Sequence, residues 1–374
     1  MVGRVLAVVL LIGLLRTFPV TPALAAQPMT AQITYRGVFD CFEPTLNQPQ
    51  ADGEAIKLTT CETSAAIAAN GQLYTASDKE IPGASSVMTL DLAGDTLTRN
   101  HYVDSPPILR LQKAEDFAVL PGGDRVFLTS SFDRMRSDST DWDAYNTLLT
   151  WTVGQEDQVQ VIEPTGHPET SLSLRLRLQR ALPTADFPAG APYFKVEGLA
   201  SLPNNRLLFG IREIGQDYEN FDYTLQLVAT QWDEAAPQAL GNFERIYEYD
   251  PQTHPQIHWP VGLSGLAWDA VHEQLLMLTS YERDETDIGL GAYLWTLSLE
   301  ALAAQVPPTL VTQANGRPLQ FAHKAEAITV LPDGRLLVIH DDDRVLGNRL
   351  IFNPEVEFYR EPHQAAYTLV EWSD

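Results

Sequence analysis

Five times along the chain a short phrase recurs: an acidic or Ser residue, a run of small apolar residues, a turn, then a second apolar run ending in charge. It reads Glu62-Thr-Ser-Ala-Ala-Ile-Ala followed by Gln72-Leu-Tyr-Thr-Ala-Ser-Asp78, then Lys113-Ala-Glu-Asp-Phe-Ala-Val-Leu-Pro followed by Arg125-Val-Phe-Leu-Thr-Ser. The third copy is Lys195-Val-Glu-Gly-Leu-Ala-Ser-Leu-Pro with Arg206-Leu-Leu-Phe-Gly-Ile-Arg212, and the fourth is Leu263-Ser-Gly-Leu-Ala-Trp with Gln274-Leu-Leu-Met-Leu-Thr-Ser. The fifth is Lys324-Ala-Glu-Ala-Ile-Thr-Val-Leu-Pro with Arg335-Leu-Leu-Val-Ile-His340. A unit of short strands repeated at roughly 50 to 80 residues cannot bury both faces of its sheet until neighbours stack on it, which predicts an all-β chain folded as a β-propeller.

Each copy is followed by a third alternating run, such as Ser86-Val-Met-Thr-Leu90, Tyr223-Thr-Leu-Gln-Leu-Val228 or Ala292-Tyr-Leu-Trp-Thr-Leu297. In most copies a fourth and more polar run comes next, as in Gln158–Ile162 and Phe243–Tyr249, the pattern of a half-exposed outer strand. The fifth copy ends at Asp374 without that strand, while Ile33–Val38 near the N-terminus is a strand with no copy of its own. Pairing the two closes the ring and removes two sheet edges. The count is five blades, with room for a sixth between Glu115 and Glu197. In that interval Ser171-Leu-Ser-Leu-Arg-Leu-Arg-Leu-Gln179 alternates with period two, which predicts an extra outer strand with Arg175 and Arg177 as solvated edge charges. The proline-rich stretch from Pro183 to Pro192 predicts a loop. No domain boundary interrupts residues 26–374, because repeat architectures grow by addition and remain one domain.

Residues 1–25 have the form of an export signal: Arg4, an apolar run from Val5 to Leu15, and Ala23-Leu-Ala25 as a small-residue cleavage site. That run is too short to span a bilayer, and no later segment approaches the length a membrane helix needs. The expected location is therefore secreted or periplasmic. Two cysteines, Cys41 and Cys61, in an exported chain predict one disulfide. With 25 Lys and Arg against 49 Asp and Glu, the formal net charge is −24, so nucleic acid and anionic lipid would meet a repulsive field.

In a propeller blade the start of the innermost strand and the end of the second lie at the same mouth of the channel. Glu62, Glu115, Glu197 and Glu326 stand at the strand starts, with Ser264 in the fourth copy, and Lys113, Lys195 and Lys324 precede three of them by two residues. Side chains two apart on a strand point the same way, so each Lys faces its Glu. At the ends of the second strands come Asp78 with Lys79, Asp133 with Arg134, Arg212 with Glu213, Glu282 with Arg283, and His340-Asp-Asp-Asp-Arg344. Hard oxygen donors beside cations predict a funnel in which Glu62, Glu115, Glu197, Glu326 and Asp342 hold Ca²⁺ or another divalent cation, while Lys195 and Arg212 clamp an anionic group. Glu197, Arg212, Lys195 and Glu326 are the candidate catalytic residues for attack of bound water on a metal-polarised phosphate ester. The opposing expectation is a self-neutralising ring of ion pairs that pins the inner strands in register.

No phosphate loop, CxxC pair or dinucleotide fingerprint occurs, and Gly262-Leu-Ser-Gly265 lacks the spacing of a nucleophile elbow. The phrases Val196-Glu-Gly-Leu-Ala, Arg206–Arg212, Leu174-Arg-Leu-Arg-Leu178, Ala325-Glu-Ala-Ile and Leu336-Leu-Val-Ile-His-Asp341 carry a resemblance. The chain resembles a bacterial family of secreted propellers classed as a domain of unknown function, and is distantly similar to the esterase-like phytase family. The resemblance implies a secreted propeller that hydrolyses a phosphoester, without a catalytic set to carry over. The alternative is a non-catalytic extracytoplasmic module whose mouth grips a protein or glycan. A calcium-dependent lactonase or carboxylesterase would need Asn at the strand starts, where it is scarce.

Overall fold

The computed structural model describes residues 29–47, 59–136, 138–164, 166, 169–282, 289–341 and 360–373; residues 1–25, expected as an export signal, and Asp342 lie outside them. The chain opens with β1 (Ala31–Asp40) and then lays down antiparallel sheets in turn. The first blade is β2 (Thr63–Ala69), β3 (Gln72–Ser77), β4 (Val87–Ala93) and β5 (Thr96–Tyr102). The second is β6 (Ala114–Val119), β7 (Arg125–Ser130), β8 (Leu148–Thr152) and the two-residue β9 (Gln160–Val161). Longer strands make the third: β10 (Tyr193–Leu202), β11 (Arg206–Asp217), β12 (Asn220–Gln231) and β13 (Glu244–Tyr249). In the fourth, β14 (Gly262–Asp269), β15 (Gln274–Glu282) and β16 (Leu290–Ser298) are edged by β17 (Thr309–Leu310) and β18 (Gln320–Phe321). The fifth runs β19 (Ala325–Val330), β20 (Leu336–His340), β21 (Gln364–Trp372) and then β1.

The ring therefore closes as expected, with Ala31 opposite Trp372 and Asp40 opposite Gln364 at the two ends of the seam. The inner strands pack around the axis in the order β2, β6, β10, β14, β19 and back to β2, which makes a five-bladed propeller. An apolar cluster fills each of the five blade interfaces, for example Tyr74, Phe117 and Trp151 between the first and second blades. Inner strands carry Ala and Gly because five of them must meet about one axis. At Gly265 an added Cβ would lie 2.6 Å from the carbonyl oxygen of Glu326 on the next inner strand, so only glycine allows that approach.

The interval between Glu115 and Glu197 holds no sixth blade among the described residues. Leu172–Arg180, expected as an outer strand, is the helix α2, which follows the short α1 (Pro106–Arg110) and precedes α3 (Leu299–Ala304). Its buried face is Ser171, Leu174, Arg175, Leu178 and Leu182, an i, i+3, i+4, i+7 stripe, whereas Leu176 is 50% exposed. Arg175 and Arg177 are not solvated edge charges: Arg175 is buried, and Arg177 pairs with Glu163. Cys41 and Cys61 form the expected disulfide. No helix of the described residues is long and apolar enough to cross a membrane.

Candidate functional site at the charged mouth

Strand register sets the site. Thr63 lies opposite Ser77, Ala114 opposite Ser130, Lys195 opposite Glu213, Gly262 opposite Ser280 and Ala325 opposite His340, so all five inner strands begin where their second strands end. The charged residues quoted above that the structure describes gather at that one mouth.

There they interlock from blade to blade. Lys113 of the second blade pairs with Asp78 of the first, and Lys195 of the third reaches Glu115 of the second at 3.7 Å while pairing with Glu197 on its own strand. Arg212 lies 3.6 Å from Glu213 and 3.8 Å from Glu282 of the fourth blade. Lys324 of the fifth blade meets Glu282 at 3.1 Å, Glu326 at 2.7 Å and Asp341 at 3.8 Å. The fourth copy, with Ser264 in place of an acid, leaves no gap, because Glu282 at the end of β15 supplies the carboxylate for both Arg212 and Lys324. The Ser264 hydroxyl instead donates to the Ala325 carbonyl oxygen at 2.8 Å, and Ser64 does the same to Ala114. These two serines stitch adjacent inner strands together.

The expected catalytic residues Glu197, Arg212, Lys195 and Glu326 thus lie in one buried network, with the Lys195 side chain 16% exposed and that of Arg212 2%. Burial alone would drive their charges off, and the partners decide the outcome. For Glu197 burial is outweighed by Lys195, then Arg212 and Lys324, which hold its carboxyl below the ordinary range. The burial of Lys195 and Arg212 is likewise overcome, by Glu115 and Glu197 for the lysine and chiefly by Glu197 for the arginine, so both hold their protons more tightly than usual. For Glu115 and Glu326 burial wins: Glu115 is raised well above the ordinary carboxylate range, and Glu326 is pushed up to about 7.

Of the expected metal ligands among the described residues, Glu62 alone joins a cluster of oxygen donors. One ligand atom from each of Glu62, Asp78 and Asp341 lies within 4.8 Å of the others. Glu62 also pairs with Lys79 at 3.0 Å, whereas Glu115, Glu197 and Glu326 pair with Lys195 and Lys324 outside that cluster, and Asp342 lies outside the described residues. A cavity of about 560 Å³ opens over this part of the mouth, lined in part by Thr60, Glu62, Asp78, Lys79, Lys113 and Tyr145. The Asp78 side chain is 7% exposed, and its Oδ1 is buried without a hydrogen-bond partner among the described residues. Burial would raise the Asp78 carboxyl, but Lys113 and Lys79 bring it below the ordinary range. Glu62 is raised, by burial first and then by the charge of Asp78. Two neighbouring carboxylates, with the charge of Asp78 raising Glu62 and Asp78 Oδ1 left idle among the described residues, form a donor set suited to a hard cation.

Asp116 escaped the sequence reading. It lies deeper along the axis, where one oxygen accepts backbone N–H bonds from Leu199 at 2.8 Å and Leu266 at 3.0 Å, and the other accepts from Phe117. Its carboxylate therefore pins the second, third and fourth inner strands together. The only signal was a second acid beside Glu115 within an otherwise apolar strand.

No family model and no curated protein sequence matches the chain. Among solved structures it is similar to a glucose dehydrogenase at 14% identity over 92% of this chain and 99% of that one, with a TM-score of 0.42. It is also similar to an α-L-arabinofuranosidase from Podospora anserina at 10% identity, over 91% and 96% of the two chains, with a TM-score of 0.41. A gluconolactonase from Xanthomonas campestris matches at 9% identity over 83% and 86%, with a TM-score of 0.33. Likenesses this distant assign no activity. The five-bladed architecture stands on the strand pairing above, and the resemblance to the esterase-like phytase family gains no support from them.

Proposed function

We propose that the chain is an exported, divalent-cation-dependent hydrolase of phosphate esters, with Ca²⁺ as the first candidate cation, held by Glu62, Asp78 and Asp341. The observation that carries the reading is the convergence of these three carboxylates from the first and fifth blades, two of which, Glu62 and Asp78, line an open cavity with Lys113 and Lys79. Carboxylate oxygens supply the hard ligands such a cation takes, and the two lysines would face the phosphoryl oxygens of a bound ester. In the reaction the water oxygen bonds to phosphorus, the ester P–O bond breaks, and the proton released from water passes to the departing alkoxide. Lys195, Arg212, Glu197 and Glu326 then act as the scaffold that fixes the mouth rather than as groups that touch substrate. The signal-like N-terminus and the disulfide support export.

Calcium titration by calorimetry, with and without Asp78→Asn, tests the cation. Binding to the parent protein that weakens about tenfold or more in the variant is expected, since the change removes a charged ligand. Turnover of p-nitrophenyl phosphate that requires the same cation tests the chemistry. Calcium binding without turnover would replace this reading with that of a non-catalytic binding module, and absence of binding would remove the cation altogether.

A further inference from the structure

The ring consumes its cations, yet one arginine at the same mouth spends only its Nε on an acid. Arg134 stands on the connection from β7 to β8, where Nε donates to Asp133 Oδ2 at 2.8 Å and Asp133 Oδ1 accepts from the Ser131 hydroxyl at 2.7 Å. Among the described residues its Nη groups make no hydrogen bond, and its side chain is 33% exposed. Three aromatic rings surround the guanidinium: Tyr218 at 5.4 Å, Tyr145 at 5.6 Å and Trp142 at 6.0 Å. Tyr218, from the turn between β11 and β12 of the neighbouring blade, is 53% exposed. Tyr145 also lines the cavity over Glu62 and Asp78, so the cage adjoins the proposed cation site.

The cage is held from beneath. Buried Asn146 donates to the carbonyls of Arg134 at 2.7 Å and Trp142 at 3.0 Å, which ties the two limbs of the connection together. Buried Arg175 of α2 donates to the carbonyl oxygens of Phe132 and of Pro192, so the ground under Arg134 is fixed as well. A guanidinium oriented by one carboxylate keeps a fork of donors for a second anionic group, and the exposed ring beside it offers a flat apolar face.

We infer that the Arg134, Tyr145 and Tyr218 cage is a subsite for a sugar ring bearing an anionic oxygen group, either a carboxylate or a phosphate. The guanidinium takes the anion, and the Tyr218 ring packs on the C–H face of the sugar. In a chain of net charge −24 an anion needs such a local cation. The inference rests on reading the mouth as a ligand site, but not on the cation.

The test is calorimetric titration of the full mature chain, in the presence of EDTA, with glucuronate, glucose 6-phosphate, glucose and inorganic phosphate. At least one anionic sugar should bind about tenfold or more tightly than glucose, and Arg134→Gln should abolish that preference. Tyr218→Ala should weaken the anionic sugar about fivefold while leaving inorganic phosphate unchanged. Comparison of glucuronate with glucose 6-phosphate tells a carboxylate ligand from a phosphate one. Equal binding of glucose and both anionic sugars, absence of binding, or binding of inorganic phosphate as tight as that of the preferred anionic sugar would overturn the inference. Because EDTA removes the divalent cation, none of those results bears on the calcium titration, and loss of calcium binding in Asp78→Asn leaves this subsite untouched.

Discussion

At the scale of single residues, Glu197 and Glu326 occupy matching places in the third and fifth blades and respond to burial in opposite ways. Glu197 is buried against Lys195 and within the fields of Arg212 and Lys324, so its charge is fixed. Glu197→Gln keeps the shape but leaves two buried cations short of a partner, and should cost on the order of 3 kcal/mol. Calcium affinity should hold steady while the melting temperature drops; the reverse pattern would make Glu197 a metal ligand. Among the described residues Glu326 pairs with Lys324 alone, and it is pushed up to about 7 from 4.5, chiefly by burial. A carboxyl raised in the folded state contributes stability that is full below the unfolded value, near 4.5, and is lost as the pH climbs through about 7. Between about pH 5 and about pH 8 the parent protein should therefore lose more stability than Glu326→Gln. Urea titrations of both proteins at the two pH values check this, and parallel losses would show that Glu326 does not titrate there.

At the scale of elements, α2 shows both what supports the mouth and why part of it was illegible in sequence. Arg175 forms no ion pair among the described residues, is pushed down to about 10 by burial against the opposing charge of Asp133, and spends its donors on the carbonyls of Phe132 and Pro192 under the Arg134 connection. Arg175→Met fills similar space but strands those carbonyls, so it should destabilise by about 1–3 kcal/mol. It should also loosen the 131–136 connection, read as faster amide exchange there; unchanged exchange would mean the helix does not brace the mouth. The period-two spacing of Leu172, Leu174, Leu176 and Leu178 suggested a strand, although Leu, Arg and Gln are good helix formers and the segment contains no β-branched residue. The missing signal was Leu182, which completes the helical stripe from outside the alternating run. The blades were legible because every copy repeats the same two apolar runs, and the closing strand because β1 had no copy of its own. Pairing across blades was not: Lys195 is two residues from Glu197 in sequence, but only the ring brings it to Glu115, and only the fold sets Asp78 beside Asp341.

At the scale of the whole molecule, a propeller is only as stable as its seam, since each blade depends on two neighbours for burial. The seam here has two fastenings. One is the nearly full-length pairing of β1 with β21, which places an N-terminal strand at the outer edge of the last blade. The other is the Cys41–Cys61 disulfide, which links the end of that outer strand to the start of the first blade. The backbone around it is also joined, because Cys41 N–H donates to the His363 carbonyl at 2.8 Å and Cys61 N–H to that of Pro362 at 2.7 Å. The bridge thus spans the junction where Glu62 and Asp341 must stay together for a cation to bind. By the chain-entropy account a loop of this size contributes about 3 kcal/mol, lost on reduction. Cys41→Ser with Cys61→Ser should therefore lower the melting temperature and speed amide exchange first in β1, β21 and β2. If the seam also positions the carboxylates, calcium affinity should fall below that of the parent under conditions where both proteins remain folded. A destabilised double variant with unchanged calcium affinity would confine the disulfide to holding the ring shut, with the strand pairing alone placing Asp341 against Glu62.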